Sequence, residues 1–477
     1  MSDGTATEGH PSRPHLENSR PIRWDRIAIS QAAMDPLGAL LGELEGQEER
    51  DRRRRADDQE RLEASLEAVV LDLFWSSIED PARFLAYPRR TADYGPNLTP
   101  ARITATPAIA VADFLVARGY ASGHLGSYSR RSAPFGGQDV GRGYRSRLRA
   151  TDKLIALLNQ HGVTRDSIGS APLETTIRLR GPAPYRNASK PLLTFRETPA
   201  VAAMRLRVTQ ANTLRATVGL SLDRPGLPLV GPEALDDPEA DRDEWVDPSD
   251  HSAIQLYRVF NNARWDQGGR FYGGWWQRCS RPDRTRILID GEETVELDYK
   301  AFQPRLCYDL DGLQLGPDHD PHMIPGYSVE YRDAAKRTFG RLLNSGPEAK
   351  LGRPKELEGL FARPKDFSAF VRAMEARYAP VARWLRAGRG LEMQFIDSQI
   401  ADEVIARMTA QGVPVLPVHD SFIVPRSAEV PLGLAMIEAY RGQLRERTGT
   451  APLPIISGWT SGHVARSVQE QLPSAIS

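Results

Sequence analysis

Near the C-terminus, Val415-Leu-Pro-Val-His419-Asp420-Ser421-Phe422-Ile-Val carries apolar residues up to a His-Asp pair and resumes them after it. The pattern predicts a β-hairpin with one carboxylate at its tight turn. A buried hairpin has little reason to hold an acid there unless a cation is bound beside it. A second carboxylate is then expected at the end of another strand, and Thr294-Val-Glu-Leu-Asp298-Tyr299 offers one. Taken alone, Asp298 reads equally well as the N-capping aspartate of a following helix.

Fixed cations accompany the acids. In Tyr331-Arg332-Asp-Ala-Ala-Lys336-Arg-Thr-Phe339-Gly340-Arg-Leu-Leu-Asn344, helical spacing puts Arg332, Lys336, Phe339 or Gly340, and Leu343 or Asn344 on one face, a row suited to a triphosphate. An exposed basic helix face is the plainer reading. Asp266-Gln-Gly-Gly-Arg270-Phe-Tyr-Gly-Gly allows close backbone approach beside a planar guanidinium that fits phosphate or a base edge. The stretch from Met393 through Asp397, Ser398 and Gln399 to Met408 is an amphipathic helix closed by Gly412, and it leads into the hairpin.

Elements outside these blocks must position them. The chain has 477 residues, 40% of them hydrophobic, enough for two or three domains. It has no apolar run long enough to span a membrane and no secretory-type N-terminus, so an intracellular, cytoplasmic location without membrane partners is expected. Cys279 and Cys307 are too few for a disulfide framework and read as packed thiols. Net charge is zero, yet Arg118, Arg130, Arg131, Arg142, Arg145, Arg147 and Arg149 face only Asp139 over their stretch. Such a stripe suits a face that meets phosphate, or a solvated loop. Asp318-His319-Asp320-Pro-His322 reads as a polar loop rather than a metal cluster. The nine histidines are too scattered for a metal-dependent phosphohydrolase.

Residues 1–30 are expected to be disordered, and 31–228 to form a mostly helical region. Within it, helix, arginine-rich hairpin and helix over about 100–185 resemble a winged helix. An acidic, Pro-rich linker is expected at 229–250.

The order Arg/Gly turn, strand-end Asp, cationic helix, amphipathic helix and His-Asp hairpin resembles single-subunit template-directed polymerases: family A DNA polymerases and phage-type RNA polymerases. The resemblance covers about 250–430. It implies an α+β fold with a right-hand palm, a small antiparallel sheet with helices, in 251–310 and 391–477, and compact helical fingers in 311–390. Asp298-Tyr299 with Arg305 looks like the first catalytic motif of the DNA enzymes. His419-Asp420-Ser421-Phe422 and Phe395-Ile-Asp397-Ser398-Gln399 are more similar to the RNA enzymes.

By that resemblance Asp298 and Asp420, with the Tyr299 carbonyl, would hold two Mg2+ ions, or Mn2+. Arg332 and Lys336 would grip phosphates, Lys336 also donating a proton to pyrophosphate. Phe339, Gly340, Asn344 and Gln303 would line the nucleotide pocket. His419 and Gln399 would position the primer terminus and Arg270 the growing duplex, with Arg142, Arg145, Arg147 and Arg149 as further nucleic-acid contacts. Gln303 stands where DNA enzymes carry a glutamate against the ribose 2′-hydroxyl, and its bulk favours deoxynucleotides. Asn344 replaces the usual tyrosine. The expected activity is DNA polymerisation on a DNA template and primer from deoxynucleoside triphosphates, with replication of a mobile element as one setting. Alternatives are a phage-type RNA polymerase or primase using ribonucleotides, an untemplated nucleotidyltransferase, and a non-catalytic DNA-binding replication factor.

Overall fold

A computed structural model describes residues 18–48, 52–95, 99–131, 140–183, 190–223 and 253–470; for 127–131, 140–144, 466, 467, 469 and 470 it describes the main chain only. The chain divides into two compact units, one of Met1–Glu174 with Asp241–Ser252, the other of Thr175–Ala240 with Ala253–Ser477. Most of the expected disordered N-terminus, 1–17, and the expected linker lie outside the described residues.

Unit 1 contains β1 (Ser19–Pro21), β2 (Arg26–Ala28), α1 (Gln31–Glu45), α2 (Ala56–Glu79), β3 (Phe84–Tyr87) and α3 (Ala105–Ala117). It continues with β4 (Ala121–His124), β5 (Ser127–Arg131), β6 (Val140–Tyr144), β7 (Ser146–Ala150), α4 (Asp152–Gln160) and β8 (Ile168–Ser170). The helical spacing of Leu62, Leu66, Val69, Val70 and Leu73 places all five in the core. Residues 18–28 include two strands, β1 and β2, joined by a turn, against expectation. The reason is electrostatic: Arg20 and Arg26 are buried and both pair with Asp72, itself buried on α2. A buried carboxylate with two guanidinium partners ties this polar segment to the core. The sheet order is β1-β3-β7-β4, and β5 with β6 forms a separate antiparallel pair between β4 and β7.

Unit 2 begins earlier than the sequence suggests, with β9 (Ile177–Arg180), β10 (Leu192–Leu193), α5 (Pro199–Arg215) and β11 (Leu220–Leu222). These belong to it because β9 pairs with β12 (Tyr257–Phe260) and β11 pairs with β14 (Ile287–Ile289). Next come β13 (Gly268–Tyr272), the short α6 (Arg281–Arg284), β15 (Glu292–Tyr299), α7 (Phe302–Leu310), α8 (Arg332–Asn344) and α9 (Pro364–Arg377). The unit closes with α10 (Gly390–Ala410), β16 (Leu416–Val418), β17 (Ser421–Pro425), α11 (Glu429–Thr448), β18 (Ile456–Ser457) and α12 (Gly462–Glu470).

The fold is α+β. Its central sheet runs β11-β14-β15-β17-β16, with β18 also on β15, and every pairing is antiparallel. One face is apolar: Tyr299 stacks on Phe302, 5.0 Å between ring centroids, and donates its hydroxyl to the Met436 carbonyl of α11. The alternation of β15 therefore turns Glu296 and Asp298 to the opposite face. Among the described residues no helix is long and apolar enough to cross a membrane.

Candidate active site

β16 and β17 form the expected hairpin, with His419 and Asp420 at its turn. His419 has φ +58°, a left-handed conformation uncommon outside glycine. Its ring meets Tyr272 edge-on, with centroids 6.1 Å apart. β17 pairs with β15 so that Asp298 faces Ser421, and the Tyr299 N–H donates to the Asp420 carbonyl at 3.4 Å. Residues widely separated in sequence thus share one end of the sheet.

Both aspartates are half-buried, and neither carboxylate has a hydrogen bond or ion pair among the described residues. Burial and then the Asp420 charge push the Asp298 carboxyl up to about 8, while Lys336 and Arg281 oppose the shift. Lys336 is exposed and equally free of hydrogen bonds among the described residues. An acid pair left without partners, with ammonium and guanidinium charges in reach, is arranged for a cation or an anion brought by a ligand.

Glu296 was not singled out from sequence, although period two places it on the face of Asp298. It accepts two bonds from Arg284, both 3.0 Å, and one from the Ser421 hydroxyl at 2.7 Å. Ser421 also donates to the Val418 carbonyl. Glu296 thereby fastens the residue after Asp420 to the strand that carries Asp298.

α10 anchors the neighbouring groups. Arg270 gives both Nε and Nη2 to Asp397, at 3.0 and 2.6 Å. Gln399 accepts from Arg258 at 2.9 Å, and Arg258, fully buried, also pairs with Asp402. The close backbone approach expected at the paired glycines is made by this helix: a Cβ on Gly269, at φ +83°, would lie 2.6 Å from Ser398 Oγ. Arg258 was overlooked because it sits within an apolar strand, Tyr257-Arg-Val-Phe.

No protein-family model, curated protein or solved structure matches this chain.

The remaining sequence candidates divide. On α8, Arg332, Lys336, Gly340 and Asn344 are all at least partly exposed, and Asn344 donates to the Gly340 carbonyl. Arg332 is oriented by Asp320, Nε to Oδ2 at 2.7 Å. Asp320 also accepts the His322 N–H, so the polar loop serves Arg332, and among the described residues no cluster of three or more metal-ligating side chains occurs. Phe339 corrects the expectation of a pocket residue: it is 1% exposed and packs on Tyr378 at 4.7 Å. The apolar side of α8 claims it for the core. The Tyr299 ring likewise faces the core, leaving only its main chain beside the acids. Gln303 is half-buried near the start of α7.

The arginine stripe belongs to unit 1. Arg145 is exposed; Arg147 donates to Ser19 Oγ and to the Arg145 carbonyl; Arg149 lies 4.9 Å over the Phe84 ring. The Arg142 side chain lies outside the described residues. A wide groove of about 930 Å3, lined by Tyr299, Arg305 and Tyr440, includes neither aspartate. In it Arg305 is bound to the carbonyls of Leu315, Gly316 and His319, a loop-fixing role.

Proposed function

We propose that this chain is a template-directed nucleotidyltransferase, a DNA polymerase that extends a 3′-hydroxyl, with the central sheet as its palm and α8 and α9 within its fingers. The observation that carries the reading is the half-buried pair Asp298, at the end of β15, and Asp420, at the turn into the adjoining β17, whose carboxylates have no hydrogen-bond or ion-pair partner among the described residues and feel the charge of Lys336. Two such carboxylates suit Mg2+, which takes few protein ligands and completes its shell with phosphates and water; Mn2+ would fit the same donors. When bound, such ions activate the attacking hydroxyl and neutralise charge on the leaving group.

The protein's own groups would act as follows. Arg332, held by Asp320, and Lys336 bind the β- and γ-phosphates, and Lys336 delivers a proton to departing pyrophosphate. Gly340 leaves open space on the same helix face for the incoming nucleotide. His419 and Gln399 orient the growing end, Gln399 being held by Arg258. Arg270, braced by Asp397, would lie along the duplex.

Ser421 bears on sugar choice. Its hydroxyl is committed to Glu296 and Val418, so its role in the hairpin accounts for its presence without reference to RNA synthesis. That favours the deoxynucleotide reading suggested by Gln303, with an RNA polymerase or primase as the alternative. In unit 1, the antiparallel pairing of β4 with β7, between α3 and α4, supports reading α3 through α4 as a winged helix that binds template backbone through Arg145 and its neighbours.

Primer extension on a defined template with deoxy- or ribonucleotides, using Asp298→Ala and Asp420→Ala as controls, tests the reading. Extension by the wild type and loss in both variants is expected. Equal or greater ribonucleotide incorporation, unaffected by Gln303→Gly, would overturn the sugar assignment. Activity surviving both substitutions would overturn the enzyme.

A further inference from the structure

We infer that Arg281 binds the phosphate of the growing strand next to its 3′ end. This rests on the polymerase reading of Asp298 and Asp420, and it adds a residue that none of the sequence motifs contains.

Arg281 and Arg284 stand three apart on the single turn α6, so they project to one side. Arg284 is fixed: it donates twice to Glu296 and once to the Cys279 carbonyl. Glu296 and Asp298 lie two apart on one face of β15. The turn that seats Arg284 on Glu296 therefore carries Arg281 beside the same strand face. Unlike Arg284, Arg281 is exposed and has no hydrogen bond or ion pair among the described residues. A guanidinium next to an acid pair that nevertheless makes no bond to it is available to a ligand.

The choice between strand phosphate and triphosphate follows from connectivity. The triphosphate cations, Arg332 and Lys336, are on α8. Arg281 instead continues the segment from Arg270, which is fastened to the hairpin: Trp276 Nε1 and Gln277 Nε2 both donate to the Pro417 carbonyl. Tyr272 of that segment touches His419. Arg281 thus belongs with the groups read as holding the growing end, where a planar fork of donors suits a phosphodiester.

The test measures binding of a fluorescent primer–template against salt, and extension kinetics, for wild type, Arg281→Ala, Arg281→Lys and Lys336→Ala. Arg281→Ala should weaken primer–template binding roughly three- to ten-fold and lower the salt slope by about one phosphate contact, with nucleotide KM unchanged. Arg281→Lys should restore most of the slope, while Lys336→Ala should raise nucleotide KM and leave the slope alone. Wild-type affinity and slope in Arg281→Ala, or an effect confined to nucleotide KM, would overturn the assignment. A wild type that extends no primer with either nucleotide set would instead remove the polymerase reading, and Arg281's role with it. Because Arg281 is exposed, an unchanged thermal melt is the expected check on folding.

Discussion

Asp298 lies directly across the β15/β17 pairing from Ser421, so the residue after one aspartate is locked in register with the other. The register also brings the Ser421 hydroxyl to Glu296. The acid pair is therefore built by main-chain pairing, and its electrostatic cost is carried by the folded state.

That cost gives a pH-dependent stability. In the fold the Asp298 carboxyl, ordinarily near 3.8, is pushed up to about 8 by burial and by Asp420. Between those values the folded chain retains a proton that the unfolded chain has released, so this group's contribution to stability falls as pH rises through the window. Asp298→Asn should abolish extension yet raise Tm by a few degrees at pH 8 in a chelator, with little gain at pH 4. Calorimetry at the two pH values checks this, and an equal shift at both would refute it. In the wild type, adding Mg2+ at pH 8 should raise Tm, and chelation should reverse the rise.

Glu296 and Arg284 form a largely buried pair whose loss is asymmetric. Glu296→Gln leaves a guanidinium facing a neutral amide, and a cost of about 3 kcal/mol is expected, at the lower end for breaking a buried pair. Ser421→Ala removes the hydroxyl's bonds to Glu296 and the Val418 carbonyl and should cost about 1–2 kcal/mol. Urea midpoints distinguish the two, and similar values would mean that Arg284 finds another partner.

Phe339 is a core residue, so Phe339→Ala should destabilise by about 3–5 kcal/mol. Phe339→Leu should fold and leave nucleotide KM near wild type. A large KM increase in the stable Leu variant would restore the nucleotide-pocket role that its place in the motif implies.

Gly340 is helical with open space where a Cβ would point. Gly340→Ala should therefore stabilise the protein by up to about 1 kcal/mol from helix propensity alone. If the space serves the nucleotide, the same variant should show a higher nucleotide KM. A rise in Tm with unchanged KM would show that the glycine is dispensable.

Much of the half that carries the candidate site is legible in sequence because its signals are local. The run before His419 marks the hairpin, and the alternation ending at Asp298 marks a strand, since burial on one face demands period two. Gly412, at positive φ, closes its helix where expected. The unit boundary is less accessible. Composition changes sharply near residue 230, but β9 and β11 pair with strands after that point. Such pairing depends on complementary edges far apart in the chain. The ordering of residues 18–28 is hidden in the same way, because Arg20 and Arg26 look solvent-seeking until Asp72 is placed beside them.

The sequence by itself determined the types and order of the candidate groups: a strand-end acid, a cationic helix and an acid at a hairpin turn. Only the tertiary structure decided which of them meet. It left the Asp298 and Asp420 carboxylates without partners among the described residues, turned Phe339 and the Tyr299 ring into the core, and set Glu296, Arg284 and Arg281 along one strand face. The physical reason is that residue type records what a side chain can do, whereas partner, burial and facing side follow from strand register and helix packing across long stretches of chain.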